Sequence, residues 1–374
     1  MKRLVKWPQI AAFRLARHHL LDHQQTNLVA ICRNVCGVQA QVMSAAEMAL
    51  WTRRHDLTRA DIHAALRESR TLVKTSCMRQ TLHLIPAADF FIYINALKRS
   101  RIEALATSMS KYAGMTRKDA EALNEAIVEA LDSGPQTQRE LKEQIVPKVG
   151  KKVRRWMEKV WSIQIFRSAL VQGHICYGPE RDHKATFVRV DRWLPKPKAI
   201  AEQEAQQILL RQYLRAYGPA TLRDFSKWTG ISTKEVRAVW ESLMDELVEV
   251  SSEEKQEWIL REDYYQLANS FLDDQILRLL PHFDPYLLGH ADKSHLVDSS
   301  NYKRVYRNQG WISPVILLDG KVIGIWSYTR RAKRWWVEIE SFEKFSKTIR
   351  NKIEAEAASL GNFWETAGEI KFLT

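Results

Sequence analysis

Two neutral amides two residues apart, Gln39 and Gln41 in the stretch Gly37-Val38-Gln39-Ala40-Gln41-Val42-Met43-Ser44, are the side chains of this sequence whose type and spacing best suit chemistry. In an extended segment successive side chains alternate faces, so both amides would project to one side while Val38, Ala40 and Val42 point into the protein. Each amide offers donor and acceptor atoms and carries no charge that must be neutralised. Such a pair can hold a water molecule, or lie against a carbon that becomes positive in a transition state, acting through fixed dipoles rather than proton transfer. The spacing alone is not diagnostic, because Gln136-Thr137-Gln138 repeats it at what reads as a helix start.

The elements that must position these amides are legible from periodicity. Residues 11–21 and 27–36 have the spacing of amphipathic helices, and Ser44-Ala45-Ala46-Glu47 reads as a capping box opening a third through Trp51. Thr58-Arg59-Ala60-Asp61 opens a fourth, and residues 72–85 carry strand-like residues up to Pro86. Helices followed by a β-ribbon are the order of a winged helix. After helical connectors at 88–105 and 118–131, Gly134-Pro135-Gln136-Thr137-Gln138-Arg139-Glu140 is echoed by Gly218-Pro219-Ala220-Thr221-Leu222-Arg223-Asp224. In both, a Gly-Pro turn precedes a threonine cap with an acidic residue three positions on. The first copy continues into a basic helix expected to run from Lys151 to Leu170, including Lys152, Arg154 and Arg155, then into a ribbon at 175–188. The second continues through a helix from Ser232 into strands at 247–250 and 257–260. The expectation is an α+β, mainly helical chain with up to three tandem winged-helix units, at 1–95, 96–198 and 199–262, and a β-hairpin-rich region at 263–374.

That last region contains the turn Asp319-Gly320 between two strands. A second hairpin follows, whose tip at 329–334 gathers Arg330, Arg331, Lys333 and Arg334, and a helix over 343–360 is expected to close the fold. Lys and Arg number 57 against 44 Asp and Glu, a formal charge of +13 with a pI near 9.5, which favours a polyanionic partner. No apolar run is long enough to span a bilayer, and the N-terminal stretch lacks the uninterrupted apolar core of a secretory signal. The four cysteines form no C-x-x-C pair, so buried free thiols, a reducing cytoplasm and no metal site are expected. Most of the thirteen tryptophans, Trp51, Trp161 and Trp240 among them, fall at core-facing spacing.

Four blocks together carry a resemblance: Gly37-Val38-Gln39-Ala40-Gln41 ahead of Ser44 and Glu47, Met78-Arg79-Gln80-Thr81-Leu82-His83-Leu84, Tyr217-Gly218-Pro219-Ala220-Thr221, and Phe283-Asp284-Pro285-Tyr286-Leu287-Leu288-Gly289-His290. In this order, over nearly the whole chain, they resemble the AlkZ/YcaQ-like winged-helix DNA glycosylases. Gln80 departs from the small residue expected between Arg79 and Thr81. The resemblance implies a C-shaped channel of tandem winged helices and excision of alkylated purines, including unhooking of interstrand crosslinks, with Gln39 and Gln41 as the catalytic pair of the Gln-x-Gln branch. An N7-alkylated purine already carries positive charge, so its glycosidic bond is weak and the leaving base needs no proton donor; two amides that orient water and stabilise the sugar cation then suffice.

On that reading the enzyme is a monomeric, cofactor-free, monofunctional glycosylase of double-stranded DNA, without a Schiff-base lysine. Lys151, Lys152, Arg154, Arg155, Arg330, Arg331, Lys333 and Arg334 contact DNA. Ser44, Arg79, Thr81, His83, Asp284, Tyr286, His290 and Asp292 are candidates to line the cleft. The competing class, a non-catalytic winged-helix regulator, explains the charge and the repeat but has no use for two amides facing a cleft.

Overall fold

The computed structural model describes residues 3–21, 26–160, 162–196, 199–252, 255–331 and 334–373. The chain is α+β and divides into two compact units. The first comprises Met1–Ile62, Leu210–Trp228 and Val236–Thr374; the second comprises His63–Leu209 and Thr229–Glu235.

In the first unit a five-stranded sheet runs in the order Leu277–Leu280, Val315–Leu318, Lys321–Arg331, Arg334–Ser341 and Ala367–Leu373. Its first three pairings are antiparallel and the last is parallel. The Asp319-Gly320 turn is as expected, with both residues left-handed at φ 49° and 85°, the twist that a two-residue hairpin requires. The second hairpin is longer than the sequence suggests. Its strands pair out to Arg331 opposite Arg334, so Arg330 and Arg334 are strand residues rather than parts of a broad basic tip, and Lys333 lies outside the described residues. The closing helix is Lys347–Phe363, and a strand rather than the helix ends the fold, because Ala367–Leu373 adds alongside Arg334–Ser341.

Helix Lys347–Phe363 covers this sheet, and Trp326, Trp335, Trp364 and Val337 form a core that also takes in Met48 and Trp51. Helix Met43–Trp51, which follows the glutamine segment, is thereby seated on the C-terminal sheet. A second sheet is made when Leu4–Val5 pairs in parallel with Leu247–Ser252, itself antiparallel to Lys255–Leu260. Trp51 and Trp240 are buried, as their spacing indicates.

The second unit places its strands in the order Leu82–Pro86, Leu72–Ser76, Ile175–Tyr177, Thr186–Arg189 and Gln136–Thr137. The ribbons at 72–86 and 175–189 are thus joined in one sheet through Lys74 opposite Tyr177. Leu123, Ile127, Leu141, Phe166 and Phe187 form the core beneath its helices. The basic helix is shorter than expected: Lys151–Lys159 and Ser162–Val171 are separate, with Trp161 between them outside the described residues.

Local signals held where they act within one turn of chain. Thr58 and Asp61, Thr137 and Glu140, and Thr221 and Asp224 each exchange the reciprocal bonds of a capping box. Ser44 does not. The helix starts at Met43 with Val42 at its cap, and Glu47 is buried in an ion pair with Arg59 at 2.8 Å. All four cysteines are free and buried, and burial pushes the Cys32 and Cys77 thiols up to about 12. No helix among the described residues is long and apolar enough to cross a membrane.

Candidate active site

The glutamine segment is held at both ends. Upstream, Asn27 caps helix Leu28–Asn34 through Val29 N–H, and the helix ends in a left-handed turn with Cys36 at φ 57° and Gly37 at φ 89°. There Gly37 N–H donates to Cys32 O at 2.7 Å, the kind of closure a glycine permits. The Tyr217 hydroxyl donates to Val35 O at 3.1 Å and fixes this turn from outside. Val38 and Gln39 form a two-residue strand, Gln41 and Val42 a bend, and helix Met43–Trp51 follows at once.

Val38 and Ala40 are sealed at 0% exposure, and Val42 packs half-buried beside the Leu15, Phe283 and Tyr286 cluster, as alternation requires. The two amides are unequal. Gln39 is only 6% exposed, whereas Gln41 is exposed, because the strand stops at Gln39 and the bend turns Gln41 outward. Ser44 is exposed beside them, and its hydroxyl lies 3.4 Å from that of Tyr328.

Downstream, the helix is anchored by an arginine that sequence reasoning missed. Arg53, 0% exposed, donates through Nη1 and Nη2 to both carboxylate oxygens of Asp284 at 2.8 Å, and through Nη1 to Ala49 O at 2.7 Å. Asp284 also accepts Tyr286 N–H at 2.9 Å. A buried bidentate pair of this kind has its charges matched by geometry and holds its two segments in one arrangement. The one signal in the sequence was a cation directly after an apolar helix ending in Trp51; its partner stands 231 residues away.

The AlkZ-like DNA glycosylase family matches residues 32–363, a span that contains the glutamine segment, Arg53 and Asp284. The chain belongs to the AlkZ-like DNA glycosylase family. It is 31% identical over 332 residues to an interstrand DNA cross-link repair glycosylase of Streptomyces sahachiroi, covering 86% of this chain and 87% of that protein. The solved structure of the Streptomyces sahachiroi DNA glycosylase AlkZ superposes with a TM-score of 0.87 at 27% identity, covering all of both chains.

In this AlkZ-like chain the structure redistributes the other candidates. Asp284 at 0%, Tyr286 at 4% and His290 at 7% exposure stand in the core rather than on a cleft wall. In the block from Phe283 to His290 the polar atoms turn inward, Asp284 to Arg53 and His290 Nε2 to Tyr217 O at 3.0 Å. Burial and the nearby Arg14 hold His290 well below the usual imidazole range, and burial raises the Tyr286 phenol. Asp292 is exposed and paired with Lys255 at 2.5 Å, which depresses its carboxyl.

Arg79, Thr81 and His83 belong to the second unit and do not share one strand. Arg79 and Gln80 sit in the ribbon's turn at φ 52° and 62°, and only His83 lies in a strand. His83 is 2% exposed with Nδ1 3.1 Å from Thr81 O, and burial, with Arg79 nearby, lowers it to about 3. Gln80 is instead exposed and hydrogen-bonded to Arg167. Of the cations, Lys151, Lys152 and Arg155 are exposed along helix Lys151–Lys159, while Arg154 is half-buried. Arg330 and Arg334 are exposed on the long hairpin, with Arg330 Nη2 donating to Trp364 O at 3.3 Å. Among the described residues no group of three or more His, Cys, Asp or Glu side chains is placed to hold a metal ion.

Proposed function

We propose that this glycosylase hydrolyses the N-glycosidic bond of N7-alkylated purines in double-stranded DNA and unhooks interstrand crosslinks, with Gln39 and Gln41 as its catalytic pair. The observation that carries the proposal is the segment itself. Within the region matched by the family, a two-residue strand and the bend after it, between two helices, carry two amides beside the sealed Val38 and Ala40, one buried and one exposed.

In this reading Gln41 meets water and the sugar, while Gln39, held by its burial, orients that water from behind. Positive charge grows at the anomeric carbon as the alkylated base departs, and the amide oxygens stabilise it without reorganising. No titratable group takes part, which suits a leaving group already cationic. The helix-turn-helix and ribbon units act as winged helices on the duplex. Lys151, Lys152, Arg154, Arg155, Arg330 and Arg334 contact phosphates, and the charge of +13 supports that use. The name of the Streptomyces relative supports crosslinks as substrate.

Incubation with duplexes carrying a defined N7-alkylguanine or a defined interstrand crosslink tests the proposal. The expected result is release of the base with the strand left uncut, insensitive to chelators and abolished in Gln39→Ala/Gln41→Ala with binding retained. Binding without base release by the native protein would overturn it.

A further inference from the structure

The first unit contains a second polar centre that the glutamine chemistry does not use. A cavity of about 250 Å³ lies between helix Trp7–Arg17, the ribbon Leu247–Ser252 and Lys255–Leu260, the loop at Ser294 and His295, and Lys321 at the start of a hairpin strand. Arg14 is its anomaly. This side chain is 4% exposed, yet no carboxylate is paired with it among the described residues; Nη2 donates to Pro219 O at 2.7 Å, Nε to Gly218 O at 3.4 Å, and the guanidinium faces the Trp7 ring. A buried charge is ordinarily matched by an ion partner, and carbonyl oxygens satisfy its N–H groups without neutralising it.

The surroundings add donors and further positive charge. Gly320, at φ 85°, lets the hairpin turn lie against helix Trp7–Arg17, since a Cβ there would stand 2.9 Å from Ala11 Cβ and from Tyr286 Oη. That close approach brings Lys321, exposed and likewise without a carboxylate partner among the described residues, to the cavity that holds Arg14. Lys255 lines it too, shared with Asp292 and within 3.3 Å of the Ser294 hydroxyl. Two further lining residues have a buried ring nitrogen with no hydrogen-bond partner among the described residues, Trp7 Nε1 and His295 Nε2; the indole can only donate. Among the described residues one carboxylate, Glu257, lines the same cavity; it accepts from the Ser252 hydroxyl, and burial raises its carboxyl while the nearby Arg14 pulls it down.

We propose that this cavity binds a tetrahedral oxyanion of the phosphate class, with Arg14 and Lys321 as its charge partners and Trp7, His295 and Ser294 as donors. Two cations with no ion-pair partner among the described residues, together with a set of convergent donors, match such an anion in charge and geometry. The site is separate from the glutamine segment, and its readout does not depend on base release.

Calorimetric titration of the full chain with inorganic phosphate, at ionic strength held constant with chloride, tests it. Saturable one-to-one binding is expected, weakened about tenfold or more in Lys321→Ala and in Arg14→Lys, which keeps the charge but loses the planar fork. Should Arg14→Lys fail to fold, Lys321→Ala on the exposed rim decides. A second arm compares short duplexes with and without a 5′-phosphate. Tighter binding of the phosphorylated duplex, erased by Lys321→Ala, assigns the anion to nucleic-acid ends; equal binding alongside retained phosphate affinity assigns it to the free ion. No saturable binding of phosphate, or binding that Lys321→Ala leaves unchanged, overturns the proposal and leaves the glycosylase reading untouched.

Discussion

Two segments of this chain share the Gln-x-Gln spacing, and the structure uses them differently. At Gln136-Thr137-Gln138 the amide of Gln136 is consumed locally: Nε2 donates to Ala130 O at 2.7 Å and to Ser133 Oγ at 2.6 Å, and Oε1 accepts from Gln144 at 2.6 Å. Thr137 between them caps a helix. At Gly37–Ser44 the central Ala40 has no polar side chain and is sealed in the core, the helix begins without a side-chain cap, and Gln41 is exposed. Gln39 and Gln136 have the same 6% exposure. Spacing and burial of the first glutamine therefore do not separate the two segments. What does is the residue between the glutamines, a capping threonine in one and a sealed alanine in the other, and how the flank is braced.

That contrast can be broken by experiment. The largest effect is expected at the brace: Asp284→Asn leaves the buried Arg53 uncompensated and should cost about 3 to 5 kcal/mol in chemical denaturation. No side chain near Gln136 should match it. A near-neutral result would mean that the first segment is held as locally as the second. Next come the amides themselves. Gln39→Ala or Gln41→Ala should each slow single-turnover base release by about 2 to 4 kcal/mol of barrier, with duplex binding kept. Gln136→Ala should leave that rate unchanged and lower stability by about 1 to 3 kcal/mol, since it strips partners from Ala130 O and Gln144. Equal loss of rate in Gln136→Ala and Gln41→Ala would erase the distinction. The smallest effect is expected at the exposed cations of helix Lys151–Lys159. Lys151→Ala, Lys152→Ala and Arg155→Ala should each reduce the salt dependence of DNA binding by about 0.9 in log–log slope per phosphate contact, without changing base release at saturating enzyme.

A pH series adds a check on the brace's surroundings. Burial raises the carboxyl of Glu356, beneath the sheet that seats helix Met43–Trp51, to about 7 despite its pairing with Arg278. The folded state therefore holds this proton where the unfolded chain, with an ordinary carboxyl, releases it. Stability should fall as pH rises from the ordinary carboxylate range to about 7, by up to about 3 kcal/mol, and Glu356→Gln should flatten that slope in denaturation curves.

The family was legible in the sequence, because short polar blocks in a fixed order carry the resemblance; the expected shared face of the two amides was not, since Val38, Gln39 and Ala40 are all buried and Gln41 alone of the pair is exposed. The roles of Asp284, Tyr286 and His290 were not. Their polarity suggested a cleft, and in the core Asp284 and His290 use it to fasten distant segments together. Likewise the reading of Ser44 as a cap rested on a matching Glu47, which is taken by Arg59 instead.

The sequence by itself determined whatever closes within a turn or two of chain: the caps at Thr58, Thr137 and Thr221, the Asp319-Gly320 hairpin, and the excess of positive charge. These depend on backbone geometry and on partners three or four residues away, so residue type and spacing are enough. Tertiary structure alone decided that Leu4–Val5 completes a sheet with Leu247–Ser252, that Arg53 finds Asp284, and that Gln39 is enclosed while Gln41 is open. Burial and long-range pairing are properties of the packed chain, and no local pattern encodes which charge will meet which across more than two hundred residues.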